Sequence, residues 1–194
     1  MNHYIFGYGS IINKRSTKET GKTGVSIPVT IRGFQREWNV VSPEMKISAV
    51  GAVPKNESIC NGVLTEIDVS ELPSFDKREK GYERLEFFQS HLIQGDVPSE
   101  SKLWIYVVKD PLFPTLEYPI AQSYLDVILM GCFDFSETFA IQFIQLTSGW
   151  EYPWINDRKC PRYARALSDI QESRIDGMLN SYVKHFHARK DESC

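Results

Sequence analysis

The chain has few cysteines and histidines, and they are scattered. Cys60, Cys132, Cys160 and Cys194 form no CxxC pair, so neither a zinc cage nor a disulfide framework is indicated, and four free thiols in a reducing cytoplasm are expected. His185 and His187 stand close together in HFH, but no carboxylate pattern accompanies them, and the expectation is a surface cluster without metal. Positive charge is not in excess. A net charge of −3 offers phosphate backbones no long-range attraction, although INKRSTKETGK is locally basic, and no nucleic-acid partner is expected. Long apolar runs are also missing: SYLDVILMGCF is short and carries Asp126, and the N-terminus has no basic segment followed by an apolar stretch and a cleavage site. Neither an export signal nor a membrane span is expected. No GxSxG elbow accompanies the serines, and no cysteine–histidine pair is placed by sequence alone.

What is present is the balance of a globular protein. The 194 residues are 42% hydrophobic and 24% charged, enough for one domain that buries roughly two thirds of the surface its unfolded chain exposes. HYIF, PVTIRGF, REWNVV, ISAVGAV and NGVLTEI are short apolar or alternating runs separated by Gly, Pro, Ser and Asn, as closely spaced antiparallel strands would be. Asp68 followed by Glu71 suggests a capping box opening a short helix through SELPSFDKRE, with Pro73 in its first turn. LEFFQSHLI and KLWIYVV then return to strand composition. From Pro119 onward IAQSYLDVILMGC, ETFAIQFIQL and YARALSDIQESRIDGMLNSYVKHF carry apolar residues at helical spacing, and ARKDESC reads as a frayed tail. Strands first and helices later, without βαβ alternation, predict an α+β domain: a small mixed, largely antiparallel sheet or barrel flanked by helices. A single domain over 1–194 is expected, with 149–194 as a helical C-terminal extension.

Two segments invite chemistry. The loop FGYGSII follows the first strand after only a few residues, and such a glycine loop is either a plain turn or a means of aiming backbone N–H groups at an anionic atom. As a dinucleotide fingerprint it fails, because Ile12 replaces the third glycine and no crossover helix to a parallel strand follows. STKETGKT resembles a phosphate-binding loop only at its end, with Ser16 where the first glycine should be, and a basic surface loop is the plainer reading. The second segment, FDKREKGYER, looks by default like a solvated charge run. Glu79 is the exception if the preceding segment is helical. Leu72, Phe75 and Glu79 then stand at i, i+3 and i+7 on the face that packs against the sheet, where lost hydration raises a carboxyl pKa toward the range useful for proton transfer.

Taken in order, FGYGSII at the first strand and FDKREKGYER after the β-rich third resemble the γ-glutamylcyclotransferase superfamily, including its glutathione-degrading ChaC-type members. The matching positions are Tyr8, Gly9, Ser10 and Ile11, then Glu79 two residues before Gly81, and more weakly Tyr124 in SYLDVILMGC. The resemblance spans roughly residues 2 to 132. It implies a cytoplasmic enzyme, acting without metal or organic cofactor, that releases 5-oxoproline from a γ-glutamyl amino acid, peptide or amine. Glu79 would be the general acid/base, the loop from Tyr8 to Ile11 would hold substrate oxygens, and Tyr124 would line the pocket. The competing expectation is a non-catalytic module that binds an anionic ligand on the same fold. Ile12-Asn13 after Ile11 departs from the Asn-Leu of some members, which leaves the substrate class open. In the stretch WEYPWINDRKCPRYARAL, Trp150, Tyr152, Trp154, Arg158, Arg162 and Arg165 either cover the pocket and pair with substrate carboxylates, or anchor the C-terminal helix with the arginines at the surface.

Overall fold

Two strands of twenty residues or more carry the architecture. In a computed structural model, which describes residues 2–18, 20–184, 186 and 189–192, β2 (Thr23–Ser42) and β3 (Ile47–Ile67) form one antiparallel hairpin. The sequence suggests four separate strands here. The first two merge because the glycine between PVTIR and FQREW makes a bulge instead of a turn: Gly33 takes φ +89°, a left-handed value, and the register shifts between Arg32 and Phe34.

The shorter strand β1 (His3–Gly7) lies antiparallel to the end of β3 and parallel to β6 (Lys102–Val108), which pairs in turn with β4 (Tyr82–Phe87). β5 (Leu92–Gln94) is separated from β4 by a 3₁₀ turn, so LEFFQSHLI is two strands and not one. Strands of two or three residues complete the sheet: β7 (Ile120–Ala121), β8 (Thr147–Ser148), β9 (Trp154–Asn156) and β10 (Lys190–Asp191). The order is β10-β9-β7-β3-β1-β6-β4, with β2 on the other side of β3 and pairing also with β5 and β8. The sheet is mixed, largely antiparallel and flanked by helices, as expected, but it does not close into a barrel. β10 pairs with β9, so Lys190 and Asp191 are not the frayed tail expected there.

Among the described residues five α-helices punctuate the chain: α1 (Lys14–Lys18), α2 (Leu72–Arg78), α3 (Gln122–Phe133), α4 (Glu137–Gln145) and α5 (Glu172–Tyr182). The capping box before α2 does not form. Asp68 accepts from Ser70 instead and caps a 3₁₀ turn that runs into the helix, with Pro73 in the first turn as expected. α5 is shorter than its spacing suggests, because Tyr163 is anchored to α3 and the chain from there to Gln171 is held out of helix.

α3 is the central element, buried along almost its whole length. Gly131 lets it approach the turn after β1: a Cβ there would lie 2.7 Å from the Cα of Asn13, whose side-chain amide donates to the Val127 carbonyl at 2.8 Å. On the sheet side, fully buried Arg36 ties β2 to its surroundings. Its guanidinium donates to the Asn61 carbonyl (2.6 Å), the Asn61 amide oxygen, Phe143 O and Thr147 Oγ1, and lies over the Phe143 ring. Burial pushes its pKa down.

Not all cysteines are free. Cys60 and Cys132 are buried thiols, whereas Cys160 is disulfide-bonded. Among the described residues no helix is long and apolar enough to cross a membrane. His185 and His187 lie outside the described residues.

A second, smaller apolar cluster beneath α2 gathers Ile5, Ile67, Leu72, Phe75 and Tyr106. Phe75 is fully buried in it. Phe75→Ala should therefore lower unfolding free energy by about 3–5 kcal/mol in denaturant titration, and a loss under ~1 kcal/mol would mean that α2 is not seated by this side chain.

Candidate functional site

β3 has β1 against its last residues and β7 at its start, and between those pairings its edge is left to side chains and loops. A cavity of about 820 Å³ opens in this region. Its walls come from the turn after β1, the β2–β3 connection, the end of α2, β4, α3 and the segment after β9.

The turn after β1 is a single 3₁₀ turn, Ser10–Ile12, entered through Gly9. Its two hydrogen bonds run from Ile12 N–H to Gly9 O and from Asn13 N–H to Ser10 O, so the N–H groups of Ser10 and Ile11 have no partner within the turn. Gly9 is closely packed: a Cβ would stand 3.0 Å from Val50 Cγ2 and 3.1 Å from Tyr124 Oη, so a side chain there would push both neighbours back. The phenol of Tyr8 is buried and donates to the Tyr106 carbonyl at 2.6 Å.

Glu79 is the residue that closes α2. Leu72 and Phe75 occupy the buried face as the spacing predicts, and one turn later the Glu79 side chain enters the cavity with only 16% of its surface exposed. Burial raises its pKa, and the charge of Arg78, then of Arg165, opposes that rise. Arg78 Nε meets Glu79 Oε1 at 3.0 Å. The remaining nitrogens of Arg78 are committed elsewhere: Nη1 donates to Ser16 O (2.9 Å) and Thr20 Oγ1, and Nη2 to Ser10 Oγ (3.2 Å) and Ser16 Oγ (3.1 Å). One guanidinium therefore ties the turn after β1, the helix α1 and the carboxyl group together. Around the same carboxyl stand the phenols of Tyr8, Tyr82 and Tyr124, all held neutral by burial and by the negative charge near them.

No family model matches the sequence, and no curated protein matches it. Solved structures do. A γ-glutamyl cyclotransferase superposes with a TM-score of 0.56 at 13% identity, covering 93% of this chain and 99% of that one. The uncharacterized Homo sapiens protein loc79017 gives 0.56 at 13% identity over 91% and 98%. YkqA from Bacillus subtilis gives 0.55 at 16% identity, over 76% of this chain but only 56% of its own length. The chain has the γ-glutamyl cyclotransferase fold.

Within this cyclotransferase fold, all six positions singled out from the sequence, Tyr8, Gly9, Ser10, Ile11, Glu79 and Tyr124, border the one cavity. Sequence reasoning passed over others on the same walls. Arg78 was hidden in a charge run whose default reading is solvated, yet its side chain is only 8% exposed. Tyr82 follows Gly81 at the start of β4, where a strand-edge aromatic carries no motif. Tyr163 and Arg165 come from the stretch whose two readings stayed open, and the structure divides it between them. Trp150 and Trp154 are packing anchors, the first against Trp38 and the second against Trp150 and Phe186. Tyr152 stacks on Phe113. Arg158 is held by Asp126 and Asp176, and Arg162 pairs with Glu192. Only Tyr163, Ala164 and Arg165 reach the cavity. Among the described residues no group of His, Cys, Asp and Glu is placed to hold a metal ion.

Arg78→Met should do two things, since it removes the shared donor and leaves Glu79 buried without its partner. Stability should fall by about 2–4 kcal/mol, and amides of residues 10–18 should exchange faster than those of β2 and β3. Unchanged protection in that segment would show that Arg78 is not what holds it.

Proposed function

We propose that this protein is a γ-glutamylcyclotransferase-like enzyme that releases 5-oxoproline from a γ-glutamyl amino acid, peptide or amine. The observation that carries the reading is a carboxyl group, Glu79, shielded from water inside the same cavity that the glycine turn borders. The likeness in fold to a γ-glutamyl cyclotransferase supports it.

The reaction asks for little more than a proton carrier and a shape. The substrate arrives with its α-nitrogen as an ammonium, which cannot attack. Glu79 takes one proton; the freed amine nitrogen bonds to the substrate's own γ-carbonyl carbon, and the carbonyl oxygen becomes an oxyanion. The carbon–nitrogen bond to the departing group then breaks as that nitrogen receives the proton back from Glu79; the ring nitrogen gives its second proton to the carboxylate so regenerated, which passes it to the departing amine, leaving 5-oxoproline and the amine as its ammonium form. Burial gives Glu79 the proton affinity that a base needs, and Arg78 opposes this, so the carboxyl can still ionise to accept the proton. Backbone N–H groups of the turn from Tyr8 to Ile11 are the proposed donors to the substrate's carboxylate or carbonyl oxygens, and the absence of a side chain at Gly9 lets the main chain come close. Tyr124 forms the wall behind them. Holding amine and carbonyl together contributes several kcal/mol by proximity alone. We regard 1–194 as one functional unit, with Tyr163, Ala164 and Arg165 of the C-terminal extension completing the wall of the cavity. A binding module would be favoured by a Glu79 that faces bulk solvent, and its burial supports the enzyme instead.

Glu79→Gln keeps the shape and cannot cycle a proton. With a panel of γ-glutamyl compounds, its 5-oxoproline release should drop by roughly 10²–10⁴-fold in kcat while the circular dichroism spectrum is retained. A folded variant working at the parental rate removes Glu79 from the mechanism.

A further inference from the structure

The connection between β6 and β7, residues 109–119, reverses the usual distribution of side chains. Pro114 and Pro119 point inward and are buried, whereas Leu112, Phe113 and Leu116 are 58%, 44% and 81% exposed. Apolar residues exposed singly are ordinary, but three in one short loop mark a surface that gains from being covered. The loop is not slack. Leu112 N–H donates to Asn39 O at 2.8 Å, and Ser48 donates to Pro119 O from its N–H (2.8 Å) and to Tyr118 O from its hydroxyl (2.7 Å). Between these ties, Thr115 N–H donates to Tyr118 O and Tyr118 N–H to Thr115 Oγ1, both at 3.2 Å, which closes a short turn with Leu116 and Glu117 at its tip. Pro111, Pro114 and Pro119 fix the backbone further. The entropy of holding these apolar side chains outward is therefore lost on folding and not on binding.

The patch continues onto the segment before β9, where the Phe113 ring stacks on Tyr152 at 5.7 Å. The charges beside it are acidic. Asp110 opens the loop, Glu117 sits next to Leu116 at the tip, and Glu151 precedes Tyr152; all three are exposed. Half-buried Glu37 accepts from the Asn39 amide, and the Asn39 carbonyl in turn holds Leu112. Lost hydration, then the charges of Glu151 and Glu37, raise the Tyr152 pKa, so both carboxylates lie close to the stacked rings. Lys109 at the start of the loop is directed to Glu83 on β4, at 3.5 Å.

An apolar centre with an acidic rim selects its partner by charge. A second copy paired patch to patch would bring Glu117 and Glu151 against like charges, and an anionic lipid surface would meet the same repulsion. We propose that the 109–119 loop and Tyr152 form a docking surface for a basic, amphipathic segment of another protein, whose apolar side chains cover Leu112, Phe113 and Leu116 while its Lys or Arg side chains meet the acidic rim. None of these residues borders the cavity, so the proposal stands apart from the cyclotransferase reading.

Fluorescence anisotropy of the full chain with two labelled model peptides tests it. Both carry leucine at amphipathic helical spacing, and their polar positions are all lysine in one and all glutamate in the other. The wild type should bind the lysine peptide about tenfold or more tightly than the glutamate peptide, with the difference shrinking at raised salt. Leu112→Ser with Leu116→Ser should weaken the lysine peptide by about tenfold, and Glu117→Lys with Glu151→Lys should remove the preference between the peptides. Each altered side chain is exposed, and circular dichroism confirms that the variants keep the fold. No binding of the lysine peptide, equal binding of the two peptides, or binding that both pairs of substitutions leave unchanged overturns the assignment. Sedimentation velocity and flotation with phosphatidylserine vesicles cover the other occupants: self-association or vesicle binding that Leu112→Ser with Leu116→Ser abolishes gives the patch to a second copy or to lipid and overturns the proposal as well.

Discussion

A carboxyl group that is removed from water yet kept next to a guanidinium is the constraint on which the rest of this structure depends. Neither half is stable in isolation. Desolvation pushes Glu79 toward its neutral form and pushes the Arg78 pKa down, while their contact at 3.0 Å favours both charges. The pair survives because Arg78 finds acceptors for its other nitrogens on the turn after β1 and on α1. The geometry of the glycine turn and the protonation behaviour of Glu79 are therefore coupled through one side chain, and a change in either is transmitted to the other.

The fold supplies the setting for that pair in three ways. The hydrophobic seat of Phe75 fixes where α2 ends, so that Glu79 closes the helix inside the cavity and not outside it. The close approach of α3 to Asn13, possible only at Gly131, brings Tyr124 against Gly9. The unclosed edge of β3 leaves the room into which these side chains project. A fully closed barrel would have paired that edge and removed the space.

How far this could be read from sequence depended on whether a residue's environment is set locally. Gly9 and Glu79 were readable because a short-range reason exists for each: a glycine loop directly after a strand, and a carboxylate in step with Leu72 and Phe75 on a helical face. The α+β character followed from runs of alternating and then helical spacing. Arg78 and Tyr82 were not readable, and Arg165 stood only in one of two open readings, since each acquires its role from a long-range partner. Arg78 is indistinguishable from a solvated arginine until Ser16 and Thr20 are folded over it. Arg165 gains its position from Tyr163 and Asp157, which act through α3. Element boundaries failed for a related reason. Gly33 punctuates the sequence as a turn would, but cross-strand pairing on both sides converts it into a bulge, and the anchoring of Tyr163 overrides the helical spacing that follows it. The disulfide at Cys160 had no spacing pattern to announce it.

The central claim is that burial outweighs Arg78 at Glu79 and leaves a carboxyl with raised proton affinity. Carbon-13 NMR titration of the glutamate side-chain carboxyls, with the Glu79 resonance assigned by its loss in Glu79→Gln, measures this directly. The account predicts a midpoint above the ordinary glutamate value of about 4.3. A midpoint at or below that value would show that the ion pair dominates, and the carboxylate would then be a structural partner of Arg78 and not a carrier of protons.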